Sequence, residues 1–384
     1  MTVSRFCLLA VSLVLAISSV AQNELHGARQ PVPLDVRKVP LEVVSSTPVK
    51  SLPSQGLGLP IPCGPDDMIV ARFAPIAPLG GGVSDPVTIG GDGTIIGRFG
   101  REKINDISKP LPLYVFLRDS NVYILTMGQV PLGDQINIKK PNGEVVQQPA
   151  VHSEFFIARF AKNGTYNGAL ALDTPFRPVQ LGVFGNGDFL LAGEDVATGT
   201  PRIGIADSRG QFLRSLELSG DVHAREDSDQ NPDSQDETAL PRFDPEGASL
   251  REIVMTSQIV AEGPNLLLFR PVGSSVFSIS ASAEVRKVAL KVPGKLEIFA
   301  VKPSQNAWFV EVIHHSEGSK ADFFDMYSFN PSTGEPINQY FFPSDFGYGL
   351  ACVDDGGKEF TFVMSAEDGN GLRLMKLSPK VGIN

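Results

Sequence analysis

The chain has 384 residues, of which 42% are hydrophobic and 20% charged, and it contains 38 Gly and 30 Pro. This combination of turn-forming and apolar residues excludes a disordered chain and favours many short strands joined by turns. The formal net charge of −10 offers no electrostatic attraction to nucleic acid or to an anionic membrane, so neither is expected as a partner.

The first residues predict export. Met1 and Arg5 supply a positive start, and residues 6–20 are apolar and precede Ala21. This is the pattern of a secretory signal peptide, here residues 1–21. The apolar run is shorter than the ~20 residues that span a bilayer, and no later segment has a comparable run, so no membrane span is expected. The sequence therefore predicts a mature protein that begins near Gln22 and resides in the periplasm or outside the cell.

One structural unit recurs six times. In each unit a polar turn leads into a strongly apolar segment of the kind that forms β-strands. These segments are residues 68–73, 121–127, 188–193, 265–270, 306–313 and 358–364. Most units continue with a second hairpin, which predicts four strands per unit. Four-stranded units repeated around a ring form a β-propeller.

The sixth unit has no fourth strand before the sequence stops at Asn384. Residues 36–43, VRKVPLEV, match residues 285–292, VRKVALKV, at six of eight positions, and the latter segment is the predicted fourth strand of the fourth unit. We therefore predict an all-β, six-bladed β-propeller of four-stranded antiparallel blades, with a ring closed by an N-terminal strand that completes the last blade. A chance match of short segments rich in Val, Arg and Lys is the alternative.

The predicted organisation has three parts. The signal peptide, residues 1–21, is followed by an N-terminal arm, residues 22–56, which holds the closing strand 35–44 and a Pro-rich linker. The propeller covers residues 57–384 and is interrupted by an acidic insertion at 221–249. Between Asp221 and Glu246 this insertion has nine acidic residues against two arginines and no apolar periodicity, which indicates a solvated loop.

The six units resemble those of bacterial exported six-bladed β-propeller proteins and, more loosely, NHL-repeat proteins. The resemblance covers about residues 57–384 and depends on repeats of a turn, an Asp or Gly, and then an apolar strand. It implies the propeller architecture. Lyases, lactonases, hydrolases and many binding proteins share that architecture, so the resemblance implies no single chemistry.

Two cysteines, Cys63 and Cys352, remain after removal of the predicted signal peptide. Exported proteins meet conditions in which thiols can pair. Each cysteine lies a few residues before an Asp-Asp turn, one in the first unit and one in the last, and a closed ring would make these units neighbours. A disulfide would then lock the ring, whereas two buried free thiols are the alternative.

A candidate calcium loop lies in the acidic insertion. Its oxygen ligands would be Asp227, Asp229, Asn231 and Asp233, at the alternate positions that calcium loops use. Pro232 occupies the sixth position, where a Gly is expected, and Thr238 replaces the Glu of the twelfth. Calcium binding is one hypothesis for this segment, and a metal-free acidic loop is the other.

The other candidate catalytic and metal-ligating residues of the sequence do not form a complete site. Alternation along a strand would place Glu311 and His315 on one face, where they could bind zinc or transfer a proton, but a third ligand is missing. The sequence contains no GxSxG motif, no phosphate-binding Gly-rich loop and no CxxC pair. No catalytic residue is therefore identified.

Several arginines recur near the ends of the apolar strands. They are Arg72, Arg98, Arg118, Arg159 and Arg270. A basic ring around a channel could receive an anionic ligand. Alternatively, these side chains pair with neighbouring Asp residues at the edges of the strands.

Two functional hypotheses follow. The first is an exported, monomeric binding or protein-interaction propeller, whose unknown protein or small-molecule ligand meets the loops of one face. The second is a propeller enzyme of the lyase or lactonase kind with a metal in the central channel. The enzyme hypothesis would be favoured if several acidic residues converged on the axis of the channel. The candidates are Asp67, Asp119, Asp188, Glu311 and Asp354.

Overall fold

The computed structural model describes residues 36–49, 52, 61–72, 85–139, 143–217, 257–269, 275–291, 297–314, 323–342, 349–354, 356–366 and 371–380. These residues are almost entirely β, with short 3-10 segments at Pro65–Asp67 and Arg101–Lys103. In this part of the chain no helix has the length and hydrophobicity needed to cross a membrane. The predicted signal peptide and the acidic insertion lie outside the described residues and stay predictions.

The described residues form 23 strands. The first twelve are β1 (Arg37–Val49), β2 (Ile69–Ala71), β3 (Val87–Ile89), β4 (Ile95–Arg98), β5 (Leu111–Arg118), β6 (Asn121–Lys139), β7 (Val145–Ala161), β8 (Tyr166–Ala171), β9 (Arg177–Val183), β10 (Phe189–Glu194), β11 (Pro201–Ala206) and β12 (Phe212–Ser215). The others are β13 (Gln258–Glu262), β14 (Asn265–Phe269), β15 (Ser275–Ile279), β16 (Val285–Ala289), β17 (Glu297–Pro303), β18 (Trp308–His314), β19 (Phe323–Phe329), β20 (Pro336–Phe341), β21 (Leu350–Val353), β22 (Phe360–Ser365) and β23 (Leu372–Pro379).

Consecutive strands pair in antiparallel fashion and form a series of sheets. Four sheets are separate: β2 to β4, β5 to β8, β9 to β12, and β13 to β16. The fifth has eight strands in the order β17-β18-β19-β20-β1-β23-β22-β21. The all-β class is therefore confirmed, but the hydrogen bonding does not separate the strands into six sheets.

The eight-stranded sheet exists because β1 pairs on both of its sides. Residues 37–40 run parallel to β20, and residues 41–49 run antiparallel to β23. Val39, Leu41 and Val49 are buried, whereas Val43 and Val44 are exposed. The N-terminal strand thus lies next to β23 in the position of a fourth strand and also links the sheet to β20.

Hydrophobic clusters lie between successive sheets. One joins the β2–β4 sheet to the β5–β8 sheet, and a larger one joins the sheets that contain β5, β9 and β13. Two further clusters contain buried residues of the strands from β17 to β23. The last cluster connects the final strands to the first sheet, because Val363 and Leu374 pack in it with Ile69 and Val87. The sheets therefore follow one another in a propeller-like arrangement.

Aspartates occupy the left-handed region at two of the predicted turns. The φ angles are 59° at Asp66, 54° at Asp67 and 55° at Asp119. Asp tolerates this conformation better than most residues with a side chain, because its carboxylate can bond to nearby backbone. The turns that precede β2 and β6 are consistent with this preference.

Candidate functional site

The first strands of three consecutive sheets, β5, β9 and β13, lie at the edges of their sheets and are neighbours in space. Side chains connect them at one end. Arg118 donates from Nη1 to the carbonyl oxygen of Val183, at 3.3 Å, and from Nη2 to that of Gly263, at 2.5 Å. One guanidinium therefore ties the ends of three sheets together.

Uncharged groups connect the same strands nearer their beginnings. The hydroxyl of Tyr114 on β5 accepts a hydrogen bond from the backbone N–H of Ile259 on β13, at 3.3 Å. Nε2 of Gln180 on β9 donates to the carbonyl oxygen of Ser257, at 2.6 Å. We call Tyr114, Gln180, Ser257 and Gln258 the inner-strand cluster, because all four lie on or next to these first strands.

Burial controls the charge of the inner-strand cluster. It raises the pKa of the Tyr114 hydroxyl, and this effect outweighs the opposing charge of Arg72, so the phenol stays neutral. The guanidinium carbon of Arg72 lies 5.4 Å from the centre of the Tyr114 ring, which is a cation–π distance. The cluster thus combines neutral hydrogen-bonding groups with one adjacent cation.

Two acceptors in the inner-strand cluster are unused. Oε1 of Gln180 and Oε1 of Gln258 are buried and have no hydrogen-bond partner among the described residues. Their residues are 5% and 8% exposed. Because Nε2 of Gln180 donates to Ser257, the orientation of that amide is set by its partner and its oxygen remains available.

The first and last sheets are joined covalently by a disulfide between Cys63 and Cys352, with their Cα atoms 5.4 Å apart. Cys352 lies on β21, and Cys63 forms an isolated bridge with Ile69 of β2. Both cysteines therefore belong to the first segments of their groups of strands. The bond joins residues 289 positions apart in sequence.

A buried lysine and a buried glutamate lie at the same junction, which we call the seam. Lys302 on β17 donates from Nζ to the carbonyl oxygen of Ile61, at 2.5 Å. The carboxylate of Glu311 on β18 accepts from the backbone N–H of Gly349, at 3.1 Å, and of Leu350, at 3.0 Å. These contacts attach β17 and β18 to the segments that precede β2 and begin β21.

Burial shifts the pKa of both seam residues toward neutrality. It lowers the pKa of Lys302 to about 7, against the attraction of Glu311. It raises the pKa of Glu311 to about 7, against the hydrogen bonds from Leu350 and Gly349 and the charge of Lys302. Neutral forms of both side chains are therefore accessible near neutral pH.

These shifts affect stability in opposite pH ranges. Glu311 has its pKa raised from 4.5, so it stabilises the fold below about pH 4.5 and loses this contribution as the pH rises through about 7. Lys302 has its pKa lowered from 10.5, so its contribution is present above about pH 10.5 and is lost as the pH falls through about 7. Together the two residues stabilise the fold least near pH 7.

Three of the candidate channel aspartates lie in turns. Asp119 is exposed, Asp188 accepts from the backbone N–H of Ser208 at 3.1 Å, and Asp354 accepts from that of Lys358 at 2.6 Å. The carboxylates of Asp188 and Asp354 therefore accept hydrogen bonds from the backbone of turns.

The other two candidates have separate partners. Asp67 and Glu359 both contact Nζ of Lys376, at 2.7 and 2.6 Å, whereas Glu311 lies buried at the seam. Within the described ranges no three His, Cys, Asp or Glu residues are placed to hold a metal ion. The described part of the chain therefore supplies no metal ligand set for the enzyme hypothesis.

The calcium hypothesis concerns residues that the structure does not describe. Asp227, Asp229, Asn231 and Asp233 all lie outside the described ranges, as does His315. Calcium binding by the acidic insertion therefore stays a prediction. For Glu311, the described contacts are backbone N–H groups at the seam.

Two of the arginines noted in the sequence donate to backbone carbonyls of following sheets. Arg118 joins three sheets as described above, and Nη2 of Arg159 on β7 donates to the carbonyl oxygen of Ser208, at 3.2 Å. Arg72 lies against Tyr114. Arg72, Arg118 and Arg159 therefore contact neighbouring sheets. Arg270 lies outside the described residues.

β6 and β7 continue beyond their sheet as a two-stranded ribbon, which we define as Gly128–Lys139 and Val145–Glu154. The neighbouring strand β5 pairs with residues 121–127, and β8 pairs with residues 156–160, so no other described strand pairs with β6 or β7 along the ribbon. At the base of the ribbon the backbone N–H of Gln129 donates to the carbonyl oxygen of Ser108, at 3.0 Å. Large apolar side chains on it face solvent. Leu132 is 56% exposed, Val145 60% and Val151 42%.

Comparison with known proteins gives distant structural likenesses. No protein-family model and no curated protein sequence matches the chain. Among solved structures, virginiamycin B lyase from Staphylococcus aureus gives a TM-score of 0.39 at 11% identity, over 88% of this chain and 99% of that one. A DUF4221 family member from Bacteroides vulgatus gives 0.40 at 12%, over 88% and 99%. A luciferin-regenerating enzyme gives 0.43 at 7%, over 88% and 98%. Similarity at this level does not extend to activity.

Proposed function

We propose that this chain is an exported six-bladed β-propeller that binds a protein partner through its ribbon. A count of six blades is obtained when the eight-stranded sheet is divided at β1. The strands β17 to β20 then form one blade, and β21 to β23 with the antiparallel part of β1 form another. Added to the four separate sheets, these two groups make six.

Closure of the ring is supported by contacts between the last and the first group of strands. The cluster that contains Val363 and Ile69 and the disulfide between Cys63 and Cys352 both connect them. Export is supported by the apolar stretch at residues 6–20 and by the disulfide, because such bonds persist mainly in oxidising compartments. We expect the periplasm or the extracellular medium.

The observation that carries the binding proposal is the exposure of Leu132, Val145 and Val151 on the ribbon. A two-stranded ribbon is marginally stable by itself in water, and exposed apolar groups that form a contiguous patch mark interaction sites. Full burial of one such side chain contributes about 1.5–3 kcal/mol, so three that are about half exposed would contribute about 2–5 kcal/mol to a complex.

A protein fits this surface better than a small molecule does. Small-molecule sites are concave, whereas the ribbon projects from its sheet. The outer edges of β6 and β7 also carry backbone groups that the neighbouring strands leave unpaired. A strand of another protein could pair with such an edge.

Site-specific photo-crosslinking in the full-length exported chain tests the proposal. We expect a discrete adduct when the photoreactive residue replaces Leu132, Val145 or Val151. Val196, which is 80% exposed in the turn between β10 and β11, is the matched control and should give none. Equal adducts from all four positions would show that exposure alone causes crosslinking and would refute the proposal.

Affinity for the identified partner provides the second measurement. The triple variant L132S/V145S/V151S should bind at least about tenfold more weakly, in line with the apolar area that it removes, and should keep the melting temperature of the parent. V196S should retain full affinity. An adduct between two copies of this chain would identify self-association and contradict the monomer that we expect.

A further inference from the structure

The inner-strand cluster contains two buried amide oxygens whose hydrogen-bonding capacity is unused, Oε1 of Gln180 and Oε1 of Gln258. Most buried polar atoms in proteins have a partner, because a buried acceptor without one destabilises the folded state. A pair of such acceptors on neighbouring strands therefore points to a bound molecule that the residues themselves do not supply.

The two oxygens belong to one small region. Nε2 of Gln180 on β9 bonds to the carbonyl oxygen of Ser257, which immediately precedes Gln258 on β13. The next residue, Ile259, donates its backbone N–H to the hydroxyl of Tyr114 on β5. The side chains of Gln180 and Tyr114 thus bond to the backbone on either side of Gln258.

The chemistry of the cluster selects the class of ligand. Amide oxygens accept hydrogen bonds and do not donate them, so they favour a ligand with O–H or N–H groups and disfavour an anion. The guanidinium of Arg72, which is partly buried and lies beside the Tyr114 ring, disfavours a second cation.

We propose that the inner-strand cluster binds a small uncharged polyhydroxyl molecule, a sugar or a polyol, whose hydroxyl groups donate to Oε1 of Gln180 and Oε1 of Gln258. The hydroxyl of Tyr114 provides a third polar contact at the same place. This site is separate from the ribbon, and its occupation is independent of the protein partner proposed above.

Isothermal titration calorimetry on the mature protein tests the site. The neutral probes are D-glucose, myo-inositol and glycerol, and the charged comparison probes are spermidine and inorganic phosphate. Gln258→Met removes one acceptor and leaves the bonds of Gln180 and Tyr114 in place. Gln211→Met, at an exposed position, is the matched control.

We expect at least one neutral probe to bind, with a dissociation constant at least about tenfold weaker in Q258M and unchanged in Q211M. Binding that is equal in Q258M, or binding of charged probes alone, would overturn the proposal. A crystal structure of the unmodified protein soaked in the neutral probes gives a readout that does not require the variant to fold. Density for ordered water alone at the two oxygens would identify a hydrated core and also overturn the proposal.

Discussion

Loss of the Cys63–Cys352 disulfide should destabilise the protein without preventing its folding. The bond joins residues 289 positions apart, and the chain-entropy relation for a loop of that length gives about 5.7 kcal/mol at 25 °C. The ladder between β1 and β23 also constrains the last sheet, so part of the closure survives without the bond. We therefore expect a loss of about 2–5 kcal/mol, the range usual for removal of a native disulfide.

Urea unfolding of C63A, C352A and C63A/C352A measures this loss. Because either single substitution already breaks the bond, each single variant should lose nearly as much free energy of unfolding as the double variant. Dithiothreitol should destabilise the parent protein and leave the double variant unaffected. Two additive single losses, together with no effect of dithiothreitol on the parent, would refute the reasoning and identify two separate thiols packed in the core.

Two further predictions concern the seam and the N-terminal strand. The free energy of unfolding of the parent, relative to that of the K302M/E311Q variant, should pass through a minimum near pH 7, with slopes of at most about 1.4 kcal/mol per pH unit for each group. A difference that stays flat through urea titrations from about pH 5 to about pH 9 would contradict the shifted pKa values of Lys302 and Glu311. Leu41→Ala, at a buried position of β1, should cost about 2–5 kcal/mol in urea unfolding. Val44→Ala, at an exposed position of the same strand, should stay within about 0.5 kcal/mol, and equal losses would contradict the observed face of β1.

The apolar strands could be predicted because neighbouring sheets cover both of their faces. The six apolar segments of the sequence overlap with β2, β6, β10, β14, β18 and β22. The last five are the second strands of their groups, and β2 follows the isolated bridge at Cys63. A strand that is buried on both sides has a continuous apolar sequence, and the flanking turn residues mark such a run as a strand. The likeness between residues 36–43 and 285–292 does not have this basis. Residues 285–289 pair with β15, whereas residues 37–40 run parallel to β20 and, within the matched segment, only residues 41–43 pair with β23.

The length of the ribbon could not be predicted. The strand expected at residues 121–127 extends in the structure to Lys139, through a segment in which Pro131 and Asp134 indicate a loop. The antiparallel partner β7, which contains Pro149, stabilises this extension. Local sequence does not report such a partner, because pairing depends on two segments together.

The contacts of the buried polar residues could not be predicted from local sequence either. Alternation in the sequence predicts Glu311 and His315 on one face of a strand, but it cannot reveal that Gly349 and Leu350 direct their N–H groups at the carboxylate of Glu311. The hydrogen bond between Gln180 and Ser257 likewise joins residues that are far apart in sequence. Periodicity predicts which face a residue occupies, whereas the group opposite that face depends on how the sheets follow one another.

The seam and the inner-strand cluster differ in role: we expect the seam to stabilise the fold and the inner-strand cluster to bind a ligand. At the seam, a covalent bond, a strand ladder and buried charged groups join the last sheets to the first, and the described hydrogen bonds use Nζ of Lys302 and both oxygens of Glu311. In the inner-strand cluster, neutral groups join the sheets and two acceptors remain unused. Substitutions at the seam should therefore change the free energy of unfolding. Replacement of Gln258 by Met removes a buried acceptor without a partner, so it should maintain or increase stability even where it abolishes ligand binding.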